Sequence, residues 1–570
     1  MGSIRLVIGA AVAALLLAAC GSNTGSAIPS ASTAHGTLIV NPPLRLASLS
    51  AAALQAELSS SASGAALLQV AGAPSCGIDV YYVLFQTIGA AGEQTESSGA
   101  MMVPTGAVGT CSGPRPIVLY AHGTNTDKTL NLADLTNANN SEGVLIAAMF
   151  AAQGFIVVAP NFAGYDISTL GYHPYLLANQ QSGEMLDILA ASRSGLPKSM
   201  SSATTDSGQL LVTGYSEGGY VAMATARALD QAGTPATAYG PMSGPYALEA
   251  FGDAIFDGFT DIGGTIFAPF LTTSYQKAYG NIYTSTSDIY TPMYASGIDT
   301  LLPSASLGAN GTDTLFLNGS LPETALFALP TPTAADVMAA APLFPAPAAL
   351  AAGLVYPTAM TVPVQLQPFL PVFQSGFGPC PNPSPGPPAA CTAPYQGASL
   401  QTNLLNNSFR IAYAADAALT PDGAFPTQQP GLGVSAGPTQ TFRLALYTND
   451  LRNGGWIPEA PLLMCGGQSD PTVFFWDNTQ VMQGYWAEMG LPAGLINVEN
   501  VDLLGQNPQP GDPYAEIEVG FAMAEAQVSA AAGGGAAGQE AVTEAYHGTL
   551  VPPFCAAAVR GFFQTVLAGG

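Results

Sequence analysis

The sequence predicts an α/β architecture: a mostly parallel central sheet flanked by helices and interrupted by a large inserted cap. Three observations predict it. Short apolar runs of strand length alternate with helix-period segments through residues 76–244 and again through 441–570. One of these runs breaks into Gly214-Tyr215-Ser216-Glu217-Gly218-Gly219, and a helical pattern over Tyr220–Leu229 follows at once. Between them, over 245–440, the alternation stops and a segment rich in Ala, Pro, Thr, Leu and Phe takes its place. Apolar runs separated by helices are what a sheet buried on both faces requires. An irregular stretch of that length is too long for a loop in a compact domain and reads as an insertion between two strands, a cap or lid.

The elements follow in chain order. Arg5 and the apolar run Leu6–Leu17 have the form of an export signal, too short for a membrane span. The run ends in Leu17-Ala18-Ala19-Cys20, which resembles the lipobox of bacterial lipoproteins. That resemblance implies cleavage before Cys20, a lipid on its thiol and anchorage to a membrane; an ordinary secretory signal is the alternative. Residues 21–75 read as a linker running into an Ala-rich helical lead-in. Asp79–Thr87 and Gly99–Pro104 read as two early strands, Pro116–Ala121 as a short buried strand and Gly154–Pro160 as another. Val144–Gln153 and Gly183–Ser194 read as helices. Thr237–Met242, Ala460–Cys465 and Leu495–Leu503 are later strands. Gly376–Pro394, with five prolines between Pro381 and Pro388, is the least structured part of the cap, and a second insertion covers about 506–543, with an Ala/Gly-rich run at Ser529–Gly538.

Composition narrows the function classes. The chain has 570 residues, only 9% of them charged, and a net charge of −25. That balance argues against nucleic acid or an anionic membrane surface as an electrostatic partner. Of seven cysteines, setting Cys20 aside leaves six, an even number suited to an exported, disulfide-permissive compartment. Sequence does not fix the connectivity; the preferred pairing is Cys76–Cys111, Cys380–Cys391 and Cys465–Cys555. No Cys-x-x-Cys or His-Glu-x-x-His spacing occurs, so no metal site is expected. The oligomeric state is left open.

The chemistry centres on Ser216. A strand that turns sharply into a helix through Gly-x-Ser-x-Gly pushes the serine hydroxyl out above the sheet. A serine hydroxyl needs a positioned base, and the base needs an orienting carboxylate. There are four histidines, His35, His122, His173 and His547, and only His547 follows Ser216. In this kind of fold the partners come in the order Ser, Asp or Glu, His, so His547 is the expected base. Asp470, just beyond the run Leu462–Cys465, is the expected acid, with Asp477, Asp502 and Asp512 as rivals. The backbone N–H groups of Glu217 and of Thr124, or a near neighbour of Thr124, are the expected donors to an oxyanion. His122 reads as a loop-shaping residue and His173 as a hydrogen-bonding one near the site. Glu217 reads as a second-layer partner or simply a helix N-terminal carboxylate.

These motifs, with Val158-Ala159-Pro160 leading to Gly171-Tyr172-His173-Pro174-Tyr175, resemble the α/β-hydrolases of the secretory lipase (lipase A-like) family over roughly 75–245 and 440–570. The resemblance implies a Ser/Asp/His triad, a lid over an apolar acyl pocket and hydrolysis of carboxylic esters without a cofactor. Asn161 departs from the pattern, since relatives commonly carry Asp there. The expectation is an exported serine esterase or lipase acting on a small or polymeric ester. A serine peptidase or other acyl hydrolase on the same fold, acyl transfer to an alcohol, and a non-catalytic surface binding protein are the alternatives.

Overall fold

A computed structural model describes residues 34–569 except 108, 138–139, 200–203, 329–337, 339–355, 379–402, 427–430 and 493. Cys20, Cys380 and Cys391 lie outside the described residues, as does most of Gly376–Pro394. The centre is a nine-stranded sheet: β1 (Leu44–Leu49), β2 (Gly77–Ile88), β3 (Gln94–Thr105), β4 (Gly113–Ala121), β5 (Ile156–Pro160), β6 (Thr204–Tyr215), β7 (Ala238–Met242), β8 (Leu462–Gly466) and β9 (Ile496–Asn500). Its spatial order is β1-β2-β3-β5-β4-β6-β7-β8-β9. The pairs β1/β2, β2/β3 and β3/β5 are antiparallel, and every pair from β5/β4 to β8/β9 is parallel.

The sequence explains most of this. Ile156, Val157, Val158 and Ala159 are all buried, as are Val118, Leu119, Leu211 and Val212 on the neighbouring strands. Such β-branched runs suit a sheet covered on both faces. β1 departs from expectation, because it lies in the segment read as linker and lead-in. Leu44 and Leu46 are exposed, so the strand carries no apolar alternation and is held by its antiparallel backbone pairing to β2. The Ala-rich stretch after it forms α1 (Ala51–Leu58) and α2 (Ala62–Ala71), each opened by a serine whose Oγ accepts a backbone N–H.

Further along come α3 (Ser141–Met149), α4 (Ala178–Ser199) and α5 (Glu217–Gln231). The long β7–β8 connection contributes α6 (Leu248–Asp257), α7 (Gly264–Tyr279), α8 (Asn407–Leu419) and α9 (Thr441–Asn449). Buried Arg443 on α9 ties that helix to α6 and α8, reaching Asp253 at 2.7 Å, Glu249 at 3.0 Å and Asp416 at 3.2 Å. Buried Arg452 pairs with Asp422 and Asp450, just beyond the ends of α8 and α9, each at 2.7 Å. Removing one partner of such a cluster strands a charge away from water, which costs roughly 3–5 kcal/mol.

The segment read as a second insertion holds two helices, α10 (Ala515–Ala531) and α11 (Gly535–Ala545), with the turn between them inside the Ala/Gly-rich run. α12 (Val551–Leu567) closes the chain. The stretch Gly535–Leu567 is apolar and long enough to cross a membrane, but 61% of its most apolar window is buried. α12 packs on β7 and β8, so its apolar face belongs to the core. Disulfides join Cys76 to Cys111 and Cys465 to Cys555.

Candidate active site

Ser216 stands where β6 turns into α5. Its φ of 59° and ψ of −122° are strained for a residue with a side chain. The turn is tight enough to demand glycine on both sides. A Cβ on Gly218 would lie 1.9 Å from the Ala121 carbonyl oxygen, and one on Gly214 would lie 2.3 Å from the Gly218 oxygen. The Ser216 N–H donates to Met242 O on β7 at 3.0 Å, which fixes the turn to the sheet.

Three distant side chains meet here. His547 Nε2 is 2.8 Å from Ser216 Oγ, and His547 Nδ1 is 2.7 Å from Asp470 Oδ2. The other Asp470 oxygen accepts the N–H groups of Thr472 and Val473 at 2.9 and 3.0 Å, so both carboxylate oxygens are committed. His547 lies in a π-helical turn, Tyr546–Leu550, between α11 and α12. Such turns widen a helix locally and recur at functional sites. Asp470 is 1% exposed, while the serine and imidazole keep a narrow opening, at 8% and 12%.

The rival acids are placed elsewhere. Asp477 is fully buried, with neither oxygen hydrogen-bonded among the described residues. Asp502 accepts the Tyr546 hydroxyl at 2.6 Å and the Ser469 N–H at 3.2 Å. Asp512 joins a separate carboxylate cluster with Glu499 and Glu518.

Around the serine, Glu142 on α3 takes the Gly123 N–H with both oxygens, at 3.0 and 3.1 Å. The Thr124 hydroxyl pairs with Tyr175 at 2.7 Å. Among the described residues, the backbone N–H groups of Thr124 and Glu217 have no protein acceptor. His122 is buried, its ring nitrogens facing Gly123 O at 2.6 Å and Asn161 O at 3.1 Å. Asn161 is satisfied on both sides of its amide: Oδ1 accepts from Leu132 N–H and Nδ2 donates to Ser98 Oγ.

The Glu217 side chain turns inward. Its Oε1 lies 2.6 Å from His173 Nε2 and accepts from Gln181 at 2.7 Å, with both members of the ion pair wholly buried. Burial works against the His173 cation, but the facing Glu217 carboxylate and hydrogen bond outweigh it and leave the ring's pKa raised.

Two contributors carry no sequence signal. The Tyr215 hydroxyl donates to His547 O at 2.6 Å, and its ring lies 5.1 Å from the imidazole. Glu142, described above, is the other. Tyr215 occupies a position the motif leaves unspecified, and nothing near Glu142 marks it.

No protein-family model and no curated protein sequence matches the chain. Solved structures do. The rice cell wall degrading esterase LipA from Xanthomonas oryzae is 21% identical with a TM-score of 0.55, covering 82% of this chain and 91% of its own. A ligand-bound form of that protein gives 20% identity and a TM-score of 0.58, covering 93% and 98%. A structure from Legionella pneumophila with a provisional hydrolase assignment gives 15% and 0.53, covering 93% and 98%.

This is the α/β-hydrolase fold.

In this hydrolase fold the serine opens onto an apolar cavity beneath the β7–β8 connection. Ser216 and Glu217 stand at one part of its wall, and Leu248, Ile255, Phe267, Leu271 and Leu446 supply much of the rest. Asp261 also lines it. Burial pushes that carboxyl well above the usual carboxylate range.

Proposed function

We propose that the chain is an exported serine hydrolase that cleaves carboxylic esters through an acyl-enzyme. The observation that carries this reading is the unbroken relay Ser216–His547–Asp470, at 2.8 and 2.7 Å, facing an apolar cavity. Ser216 Oγ attacks the ester carbonyl carbon while His547 Nε2 takes its proton. Asp470 holds the Nδ1–H tautomer and stabilises the imidazolium. The free N–H groups of Glu217 and Thr124 receive the oxyanion; Gly123 is not available for that task because Glu142 occupies its N–H. His547 then passes the proton to the leaving alcohol, and a water activated by the same ring releases the acid. The acyl chain takes the cavity.

Ester rather than amide is favoured by the apolar cavity and by the esterase named among the structural neighbours. Attachment to the cell envelope through a lipid on Cys20 belongs to the same proposal. It predicts that Cys20→Ser moves the protein from the membrane to the soluble fraction; an unchanged distribution rejects the anchor. For the chemistry, a panel of p-nitrophenyl esters is set beside aminoacyl anilides. Ester turnover and fluorophosphonate labelling, both lost in Ser216→Ala, are expected. Turnover of anilides alone would reject the esterase, and folded protein that resists labelling would reject the enzyme.

A further inference from the structure

Away from the serine, three carboxylates converge behind the loops that carry the acid and the base. Glu499 lies near the end of β9, Asp512 in the loop that follows, and Glu518 in the first turns of α10. One oxygen of each lies within 4.8 Å of the others. Glu499 is 4% exposed and Glu518 5%. Glu499 Oε1 and Glu518 Oε2 are buried with no hydrogen-bond partner among the described residues. No ion pair among the described residues reaches any of the three.

Like charges withdrawn from water repel strongly unless a proton or a cation intervenes. The donors here are all oxygen. Asp512 and Glu518 also border a polar cavity of about 220 Å³ with Gln468, Asn500, Asp502 and Gln509, whose side chains offer further oxygens. An all-oxygen set selects a hard cation over zinc or copper. Ligand number then separates the hard cations. Calcium takes about 6–8 oxygens in a flexible shell, whereas magnesium keeps several waters and is held by one or two carboxylates. Three carboxylates, with one oxygen of each within 4.8 Å of the others, suit calcium.

We propose that Glu499, Asp512 and Glu518 form a calcium site that clamps the loop between β9 and α10. This goes beyond the histidine and cysteine spacings, because carboxylates scattered over twenty positions make no motif. The clamp bears on the proposed chemistry through Asp502, which sits in that loop. Asp502 accepts from Tyr546 and Ser469, the residues immediately before His547 and Asp470.

The test uses the purified full chain after exhaustive EDTA dialysis, with calcium as the probe, and reads binding by isothermal titration and unfolding by circular dichroism. Expected are one ion bound per chain, a rise in Tm with calcium and a smaller rise with magnesium at equal concentration. In Glu499→Gln both calcium responses are lost. Without calcium this variant is at least as stable as the parent, because it removes repulsion; with calcium the order reverses. Glu518→Gln, expected to behave alike, serves if the first variant fails to fold. No titration heat and no Tm response in the parent would overturn the site. So would equal responses in both variants, or a parent stabilised by acid alone, which would mark a shared proton instead. None of these readouts depends on esterase activity, so the site can fail while the proposed function stands.

Discussion

Replacing Asp470 with Asn tests the relay at its most constrained point. The Asp470 carboxylate uses Oδ1 to accept two backbone N–H groups, from Thr472 and Val473, and Oδ2 to accept His547 Nδ1–H. An amide has one accepting oxygen and one donating NH₂. If the oxygen keeps the two backbone donors, the NH₂ faces Nδ1, which must then accept. The ring is forced into the Nε2–H tautomer and points a hydrogen at Ser216, so it can no longer take the serine's proton. If the amide flips instead, the tautomer is restored but two backbone N–H groups face an NH₂. Leaving two buried donors unpaired costs about 2–6 kcal/mol in all. The flip therefore bounds the loss at about 30-fold to 10⁴-fold, and the upper part of that range matches the roughly 10⁴-fold effect known for a wrong tautomer. The assay is kcat for p-nitrophenyl butyrate hydrolysis, with circular dichroism to confirm folding. Asp502→Asn, which disturbs Tyr546 but not the ring, is expected to cost less than tenfold. A folded Asp470→Asn enzyme within threefold of the parent, or an Asp502 variant that loses as much, would refute the reasoning.

Gly218→Ala places a Cβ 1.9 Å from the Ala121 carbonyl oxygen, so backbone must move; a stability loss at or above the upper end of about 1–3 kcal/mol is expected in the urea midpoint. Ala268→Phe fills part of the cavity lined by Leu271 and Phe267. The four methylenes that distinguish octanoate from butyrate are worth up to about 3 kcal/mol, so kcat/KM for the octanoate ester should fall by tens-fold relative to butyrate. The fold raises the His173 pKa, so the contribution of its cation is fully present below the unfolded value of about 6.5 and is lost as pH rises through the raised folded value. The stability gap between the parent and His173→Gln should therefore widen from pH 8.5 to pH 5.5 in chemical denaturation. A gap that widens towards alkali would show that the Glu217 pairing does not favour the charged ring.

What the sequence reveals and what it hides divides along physical lines. Ile156–Pro160 is legible because every residue is buried, and burial writes itself as an unbroken apolar run. β1 is not, because backbone pairing to β2 needs no particular side chain and leaves Leu44 exposed. Ser216 is legible because a close backbone approach demands glycine, and His547 because so few histidines compete with it. Glu142 and the Tyr215 hydroxyl are hidden. Both act on backbone atoms, Gly123 N–H and His547 O, and a backbone group looks the same in every residue. The helices α10 and α11 were obscured by their Ala/Gly-rich joint, where Gly533 and Gly534 make the turn and say nothing of the helices on either side.

The two disulfides share a property of consequence for the intact molecule. Cys76–Cys111 lies wholly before β7, and Cys465–Cys555 wholly after the long connection. The serine rides with the first pair, and the acid and base with the second. A protease that nicks the chain between β7 and Cys380 would thus leave the molecule in two pieces, Ser216 on one and Asp470 and His547 on the other, held by β7 lying against β8 and by the packing around it. Such a nicked form would hold together in buffer yet run as two bands in detergent without reductant, whereas a cut inside either disulfide loop, between Cys76 and Cys111 or between Cys465 and Cys555, would leave its pieces covalently joined.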